Sequence, residues 1–225
     1  MNKNLSDKQW NKSLIIGYSD NLPDDPPIID EQTLIIAADG GLKWAEKWGL
    51  VPHVVIGDFD SINIRDEKLL LLKSNKNTIV KRFPREKSKT DLELAVDYAV
   101  DSGIKTIILA GAWGGRIDHS LGNIDLLYKL GLEGIEACIL TTQAKLFLVN
   151  HKLELEIPLN TIVSLIPLTE TVTGVSTTGL YYPLEDAIIK KGSTWTISNK
   201  TIEPLISITC KHGVLIAVVE FKNPR

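Results

Sequence analysis

The chain has 225 residues, enough for one large or two small domains at about 150 residues per domain. Apolar residues make up 44% and charged residues 24%, ordinary globular usage that excludes a disordered or collagen-like chain. A net charge of −3 argues against a general nucleic-acid footprint, which would be basic.

Met1 to Lys12 is polar and lacks an apolar signal core, and no apolar run approaches the roughly 18 residues that span a bilayer. A soluble, cytoplasmic protein with no membrane partner is therefore expected. Five continuous apolar runs then read as buried strands of a parallel sheet: Leu14–Ile16, Leu34–Ala37, Val54–Ile56, Ile107–Leu109 and Cys138–Leu140. Helical patterns alternate with them at Leu42–Trp48, Asp66–Lys73, Asp91–Asp101 and Leu121–Leu130. The clearest is Asp91–Asp101. Leu92, Ala95, Val96, Ala99 and Val100 keep helical spacing, Thr90 or Asp91 opens it and Ser102-Gly103 closes it. Strand-helix alternation implies an α/β domain.

Near Asn150 the pattern changes. Short β-branched runs follow at Leu153–Ile157, Ile162–Ile166, Val172–Thr177, Ala187–Ile189, Thr194–Ile197, Ile206–Thr209 and Val214–Phe221, punctuated by Gly, Pro and Asn. This predicts a small all-β sandwich or barrel. The expected organisation is an α/β domain over 1–150 and a β-sandwich over 151–225, with the boundary at 148–154. Cys138 and Cys210 sit in apolar runs without metal-ligand spacing, so both are expected to be buried free thiols. His53, His151 and His212 are scattered and are assigned no role.

Chemistry concentrates where strands end. Asp39 follows Leu34–Ala38 and precedes Gly40-Gly41; Asp58 and Asp60 follow Val54–Ile56; Asp91 opens the best helix. In an open α/β sheet the carboxyl ends of the strands form the ligand crevice, so these carboxylates can converge there. Grouped carboxylates repel one another and are costly to desolvate; a hard cation such as Mg2+ relieves both. Taken singly, each Asp also suits a turn or a helix cap. A second cluster, Gly111-Ala112-Trp113-Gly114-Gly115-Arg116-Ile117-Asp118-His119, joins a strand to a helix. Its glycines allow close backbone approach, the helix start favours an anion, and Arg116 can clamp a phosphate, with Asp118 and His119 orienting the clamp or accepting a ligand hydrogen bond. Neither GxxxxGK[ST] nor GxGxxG occurs. Lys81, Arg82, Arg85, Lys87 and Lys89 form a basic run before Asp91, which suits either a solvated face or the docking of a polyphosphate.

Together Ala38-Asp39-Gly40-Gly41, Pro52, Gly57-Asp58-Phe59-Asp60-Ser61, Lys89-Thr90-Asp91 and Gly114-Gly115-Arg116-Ile117-Asp118-His119 with Asn123 resemble the thiamine pyrophosphokinase family in order and interval. Thr177–Leu184 and Ser198-Asn199 are similar to its thiamine-side motifs, so the resemblance covers about residues 13–221. It implies transfer of the diphosphate of ATP to the hydroxyl of thiamine, with AMP as the other product, in a homodimer with shared active sites. By position, Asp58, Asp60 and Asp91 would hold Mg2+ and, with Arg116, be catalytic. Asp39, Gly40, Lys87, Thr90, Arg116, Asp118 and His119 would line the ATP and phosphate region. Tyr182, Ser198 and Asn199 would meet thiamine. Two positions depart from the family pattern: Ser88 stands where an acidic residue is usual, and Lys200 where a Glu is common.

Overall fold

The computed structural model describes residues 9–58 and 78–221. Their contacts divide the chain into two compact units. One is built on residues up to Leu126 together with Ile139–Thr142; the other takes Leu127–Cys138 and the chain from Gln143 onward. The expected boundary at 148–154 falls within the second unit.

The first unit contains a parallel sheet in the order β5-β1-β2-β3-β4, formed by β1 (Lys12–Ile16), β2 (Thr33–Ala38), β3 (Val54–Gly57), β4 (Ile79–Arg82) and β5 (Thr106–Ala110). Side chains alternate across a strand. Leu14, Ile16, Ile35 and Ala110 pack with Ala45 and Trp48 of the segment containing helix α1 (Gly41–Lys47). Their neighbours Ile15, Ile36 and Leu109 are equally buried, so the sheet is covered on both faces. Helix α2 (Asp91–Asp101) spans the residues expected from its periodicity and buries Leu92, Ala95, Val96 and Ala99. It packs against β1, β2 and β3. The helix expected at Asp66–Lys73 lies outside the described residues.

Helix α3 (Ile117–Leu132) begins four residues before the expected start at Leu121, which puts Asp118 and His119 in its first turn rather than in the preceding loop. Both side chains are exposed there, and the apolar period used to find the helix begins only after them. Strand β6 (Glu136–Leu140) follows.

The second unit holds two antiparallel sheets. One pairs β7 (Ala144–Val149), β14 (Leu215–Glu220), β9 (Ile162–Pro167) and β12 (Asn199–Lys200); the other pairs β11 (Ala187–Lys190), β10 (Thr171–Thr178), β13 (Leu205–Thr209) and β8 (Lys152–Glu156). Val149, Val163, Leu165, Leu215 and Ala217 from the first meet Val172, Val175, Ile189, Ile206 and Ile208 from the second in one core. This is the expected sandwich. Cys138 and Cys210 are free and buried, and burial pushes the Cys138 thiol up to about 11.

The expected strand at Thr194–Ile197 is a turn. The Ile197 N–H donates to the Thr194 carbonyl (3.2 Å) and the Trp195 N–H to the Ser193 hydroxyl (3.2 Å). Thr196 is β-branched for a local reason: its carbonyl accepts from the Leu165 N–H (2.9 Å) while its hydroxyl donates to the Leu165 carbonyl (2.6 Å).

The link from β2 into α1 depends on a missing side chain. A Cβ on Gly41 would lie 1.9 Å from the Ile16 carbonyl oxygen, a backbone atom inside the sheet that cannot yield. Gly41→Ala is expected to lower the unfolding free energy by about 1–3 kcal/mol, the range for overpacking a fixed core. Urea denaturation measures this, and an unchanged midpoint would show that α1 shifts freely.

Candidate active site

The chain runs β1, β2, β3, β4 toward one edge of the parallel sheet and then returns to place β5 on the other side of β1. Loops leaving β1 and β5 therefore diverge, and a crevice opens at their carboxyl ends. The two loops touch at their roots. The Gly17 N–H donates to the Ala110 carbonyl (2.7 Å) and the Ser19 N–H to the Gly111 carbonyl (3.1 Å). A Cβ on Gly17 would meet the Gly111 carbonyl oxygen at 2.7 Å, so glycine is required. Above this contact lies a cleft of about 740 Å³. Asp20, Asp39 and Asp91 bring carboxylates to its lining, Gly114, Gly115, Arg116 and His119 bring backbone, a guanidinium and an imidazole, and Tyr18 and Trp44 supply aromatic surface.

Asp39 ends β2 in the left-handed region (φ 46°), a conformation Asp tolerates better than most side chains. Its N–H donates to the Ile56 carbonyl (2.7 Å), tying the end of β2 to β3. One carboxylate oxygen, Oδ1, is buried without a hydrogen-bond partner. Burial raises the Asp39 pKa, and the negative charges of Asp91 and Asp58 raise it further; a hydrogen bond from the Gly40 backbone and the charge of Lys87 only partly oppose them. Asp58 directly follows β3 and is half-buried. Asp60 lies outside the described residues. Among the described residues no group of three or more His, Cys, Asp and Glu is arranged to hold a metal ion. The donor chemistry nonetheless suits a hard divalent cation: an orphaned carboxylate oxygen on Asp39 and two further carboxylates close enough to repel it.

Thr90 is the N-cap of α2, its hydroxyl accepting from the Glu93 N–H (3.1 Å). Asp91 follows in the first turn and takes the Lys87 ammonium at 2.6 Å. Lys89 pairs with Asp97 (2.6 Å), and the Lys81 ammonium sits 4.3 Å from the Tyr98 ring centroid. Much of the basic run is thus neutralised by α2. Across the cleft, Gly114 (φ 100°) and Gly115 (φ 67°) lead into α3. The Gly114 N–H donates to the Ser120 hydroxyl (3.0 Å), and the Asn123 amide donates to the Ala112 carbonyl (2.6 Å), so the helix holds the loop. Arg116 donates through Nε and Nη2 to both oxygens of Asp118 (3.1 and 2.5 Å). The guanidinium holds the Asp118 carboxyl below its ordinary range.

In the second unit, Ser198 takes a left-handed turn (φ 61°) and its N–H donates to the Ser164 hydroxyl (2.9 Å). Asn199 and Lys200 follow as β12. Tyr182 is 65% exposed and lies edge-to-face with Tyr181, ring centroids 4.8 Å apart. The Lys200 ammonium does not project freely; it sits 4.5 Å from the Tyr181 ring centroid.

The family profile for the thiamin pyrophosphokinase catalytic domain matches residues 26–139, and that for the thiamin pyrophosphokinase vitamin B1 binding domain matches residues 150–215. The chain belongs to the thiamin pyrophosphokinase family. A thiamine pyrophosphokinase of Bacillus subtilis is 33% identical over 215 residues, covering 92% of this chain and 96% of the relative. A crystal structure of the Bacillus subtilis thiamine pyrophosphokinase superposes with a TM-score of 0.84 at 31% identity, covering 95% of this chain and all of that one. The thiamin pyrophosphokinase of Geobacillus thermodenitrificans gives 0.80 at 30% identity, covering 95% and 99%.

Against the family's motifs, the first unit brings Asp39, Asp91, Thr90, Arg116 and His119 to one cleft, with Asp58 and Lys87 within electrostatic reach of Asp39. Tyr18, Ser19, Asp20 and Trp44 also line the cleft and were not foreseen. Tyr18, Ser19 and Asp20 follow β1 through Gly17, and Trp44 lies within α1.

The raised Asp39 pKa makes a signed prediction. The folded state holds this proton more tightly than the unfolded chain, so stability is lost as pH rises above 3.8 and the loss is complete above the folded value. Asp39→Asn removes the charge and keeps a side chain suited to positive φ. The free protein is expected to gain about 2–4 °C in Tm at pH 7, shrinking as pH falls toward the ordinary carboxylate range. Thermal unfolding across pH checks this; an equal gain at both ends would show that the carboxylate is not strained.

Proposed function

We propose that the chain transfers the diphosphate of ATP to the hydroxyl of thiamine, releasing AMP, with its phosphate chemistry in the cleft of the first unit. Thiamine pyrophosphokinase activity, a diphosphotransfer, follows from family membership. The observation that carries the finer reading is the meeting in one cleft of a carboxylate side, Asp39 and Asp91, with an anion-receiving side, Gly114 to Arg116 at the start of α3. Backbone N–H groups at a helix start and a guanidinium both favour phosphate oxygens.

The attacking group is an ordinary alcohol and the transferred group is highly charged, so positioning and charge neutralisation dominate. Asp58, Asp60 and Asp91 would hold Mg2+ with Asp39 beside them; bound there, the ion would neutralise phosphate charge. Arg116 supplies fixed positive charge, and Asp118 sets the plane of its guanidinium. Gly40, Lys87, Thr90 and His119 complete the nucleotide and phosphate region. In the second unit Tyr182, Ser198 and Asn199 form the thiamine side. An exposed tyrosine face offers the cationic thiazolium stacking and cation–π attraction. The protein acts as a cytoplasmic homodimer with active sites shared between subunits, and takes no nucleic-acid partner.

Incubation with ATP, Mg2+ and thiamine is expected to yield AMP and thiamine diphosphate in equal amounts. ADP with thiamine monophosphate would overturn attack at the β-phosphorus. Asp58→Asn and Asp60→Asn are each expected to lower kcat by about 100-fold or more, the scale on which preorganised charge acts, while the thermal transition is retained. Near-normal turnover in either variant would remove that residue from the metal set.

A further inference from the structure

Tyr182 is mostly exposed and its ring has Tyr181 as an edge-to-face neighbour. The backbone beneath it is held as well. The segment Leu180–Tyr182 is zipped to 199–201: Leu180 bridges Thr201, and the Tyr181 N–H donates to the Lys200 carbonyl (2.8 Å). At Tyr182 the ladder continues through a side chain. The Tyr182 N–H donates to Asn199 Oδ1 (3.0 Å), and Asn199 Nδ2 donates to the Tyr182 carbonyl (2.7 Å). The carboxamide thus acts as one more peptide unit in the pairing, an acceptor and a donor at ladder spacing. The left-handed turn at Ser198, held by Ser164, sets the chain direction that aims it. Tyr181, the edge-to-face partner of Tyr182, is itself contacted by the Lys200 ammonium.

We infer that Asn199 is a positioning residue for Tyr182: it acts on thiamine through the tyrosine backbone rather than by touching thiamine. Asn199 Oδ1 accepts from both the Tyr182 and the Lys200 N–H groups (3.0 and 2.9 Å) and Nδ2 gives one of its two hydrogens to the Tyr182 carbonyl, so the acceptor end of the amide is fully committed to the latch. Lys200, turned onto the Tyr181 ring, braces the same aromatic pair. This inference rests on the thiamine side being formed by Tyr182, as proposed above.

A double-mutant cycle tests it. Tyr182→Ala is expected to raise the thiamine KM about 3- to 10-fold with kcat little changed, the scale of one lost cation–π face. Asn199→Ala is expected to raise KM by a similar or smaller factor and to speed hydrogen exchange at the Tyr182 amide in the free protein. In the Tyr182→Ala background the Asn199→Ala change should add less than 2-fold, because its route to thiamine is gone. Asn199→Gln keeps the amide but cannot place both ends at ladder spacing, so a KM raised like that of Asn199→Ala in a stably folded protein supports the latch. A full extra KM penalty for Asn199→Ala on top of Tyr182→Ala, or a wild-type KM in Asn199→Gln, overturns the inference alone. An unchanged KM in Tyr182→Ala overturns the thiamine-side reading and the inference with it.

Discussion

The carboxyl ends of β1 and β5 meet through bare backbone, Gly17 against Gly111, and the cleft depends on that approach. Any side chain at Gly17 would push the Gly111 carbonyl away and with it the loop that carries Gly114, Gly115 and Arg116. The same device recurs one strand over, where Gly41 lets α1 begin against the Ile16 carbonyl. The floor of the cleft is therefore main chain, which cannot be remodelled by rotamer change.

Among the described residues around the cleft, Lys87 is matched to Asp91 and Arg116 to Asp118. Asp39 has no such match: one of its oxygens is buried and accepts nothing, and Asp91 and Asp58 repel it. A folded protein tolerates such a group when the surrounding backbone over-determines it, and here β2, β3 and the positive φ at Asp39 do so.

The buried strands and α2 were legible because their side chains answer one demand, burial on both faces of a sheet or on one face of a helix. Elements under two demands were not. β4 was missed because it is an edge strand: Ile79 and Val80 are half-buried, Lys81 and Arg82 are exposed, and only the charges stood out. β7 is apolar in sequence, yet its role emerges only from pairing with β14, more than sixty residues later. Thr194–Ile197 has strand composition but turn geometry, since Thr196 is spent on Leu165. At the site, Asp39, Asp58 and Asp91 were legible as charges at strand and helix ends. The cleft residue Tyr18 was not, because exposure at a strand end is a property of the loop path. The Asn199–Tyr182 latch was equally hidden, its partners being seventeen residues apart, one on β12 and the other on a loop, with a register no local pattern dictates.

The exposed pairing of Arg116 with Asp118 has a kinetic meaning. A guanidinium left alone in water must shed its hydration before it can grip an anion. One already bonded to a carboxylate through two N–H groups would, in the proposed phosphate role, exchange one oxyanion for another, so that arrival and departure of a phosphate would be exchanges between near-equivalent partners. Such a swap has little to gain in depth and little to lose in speed. It suits a cleft that must let go of its charged product as readily as it took up its charged substrate.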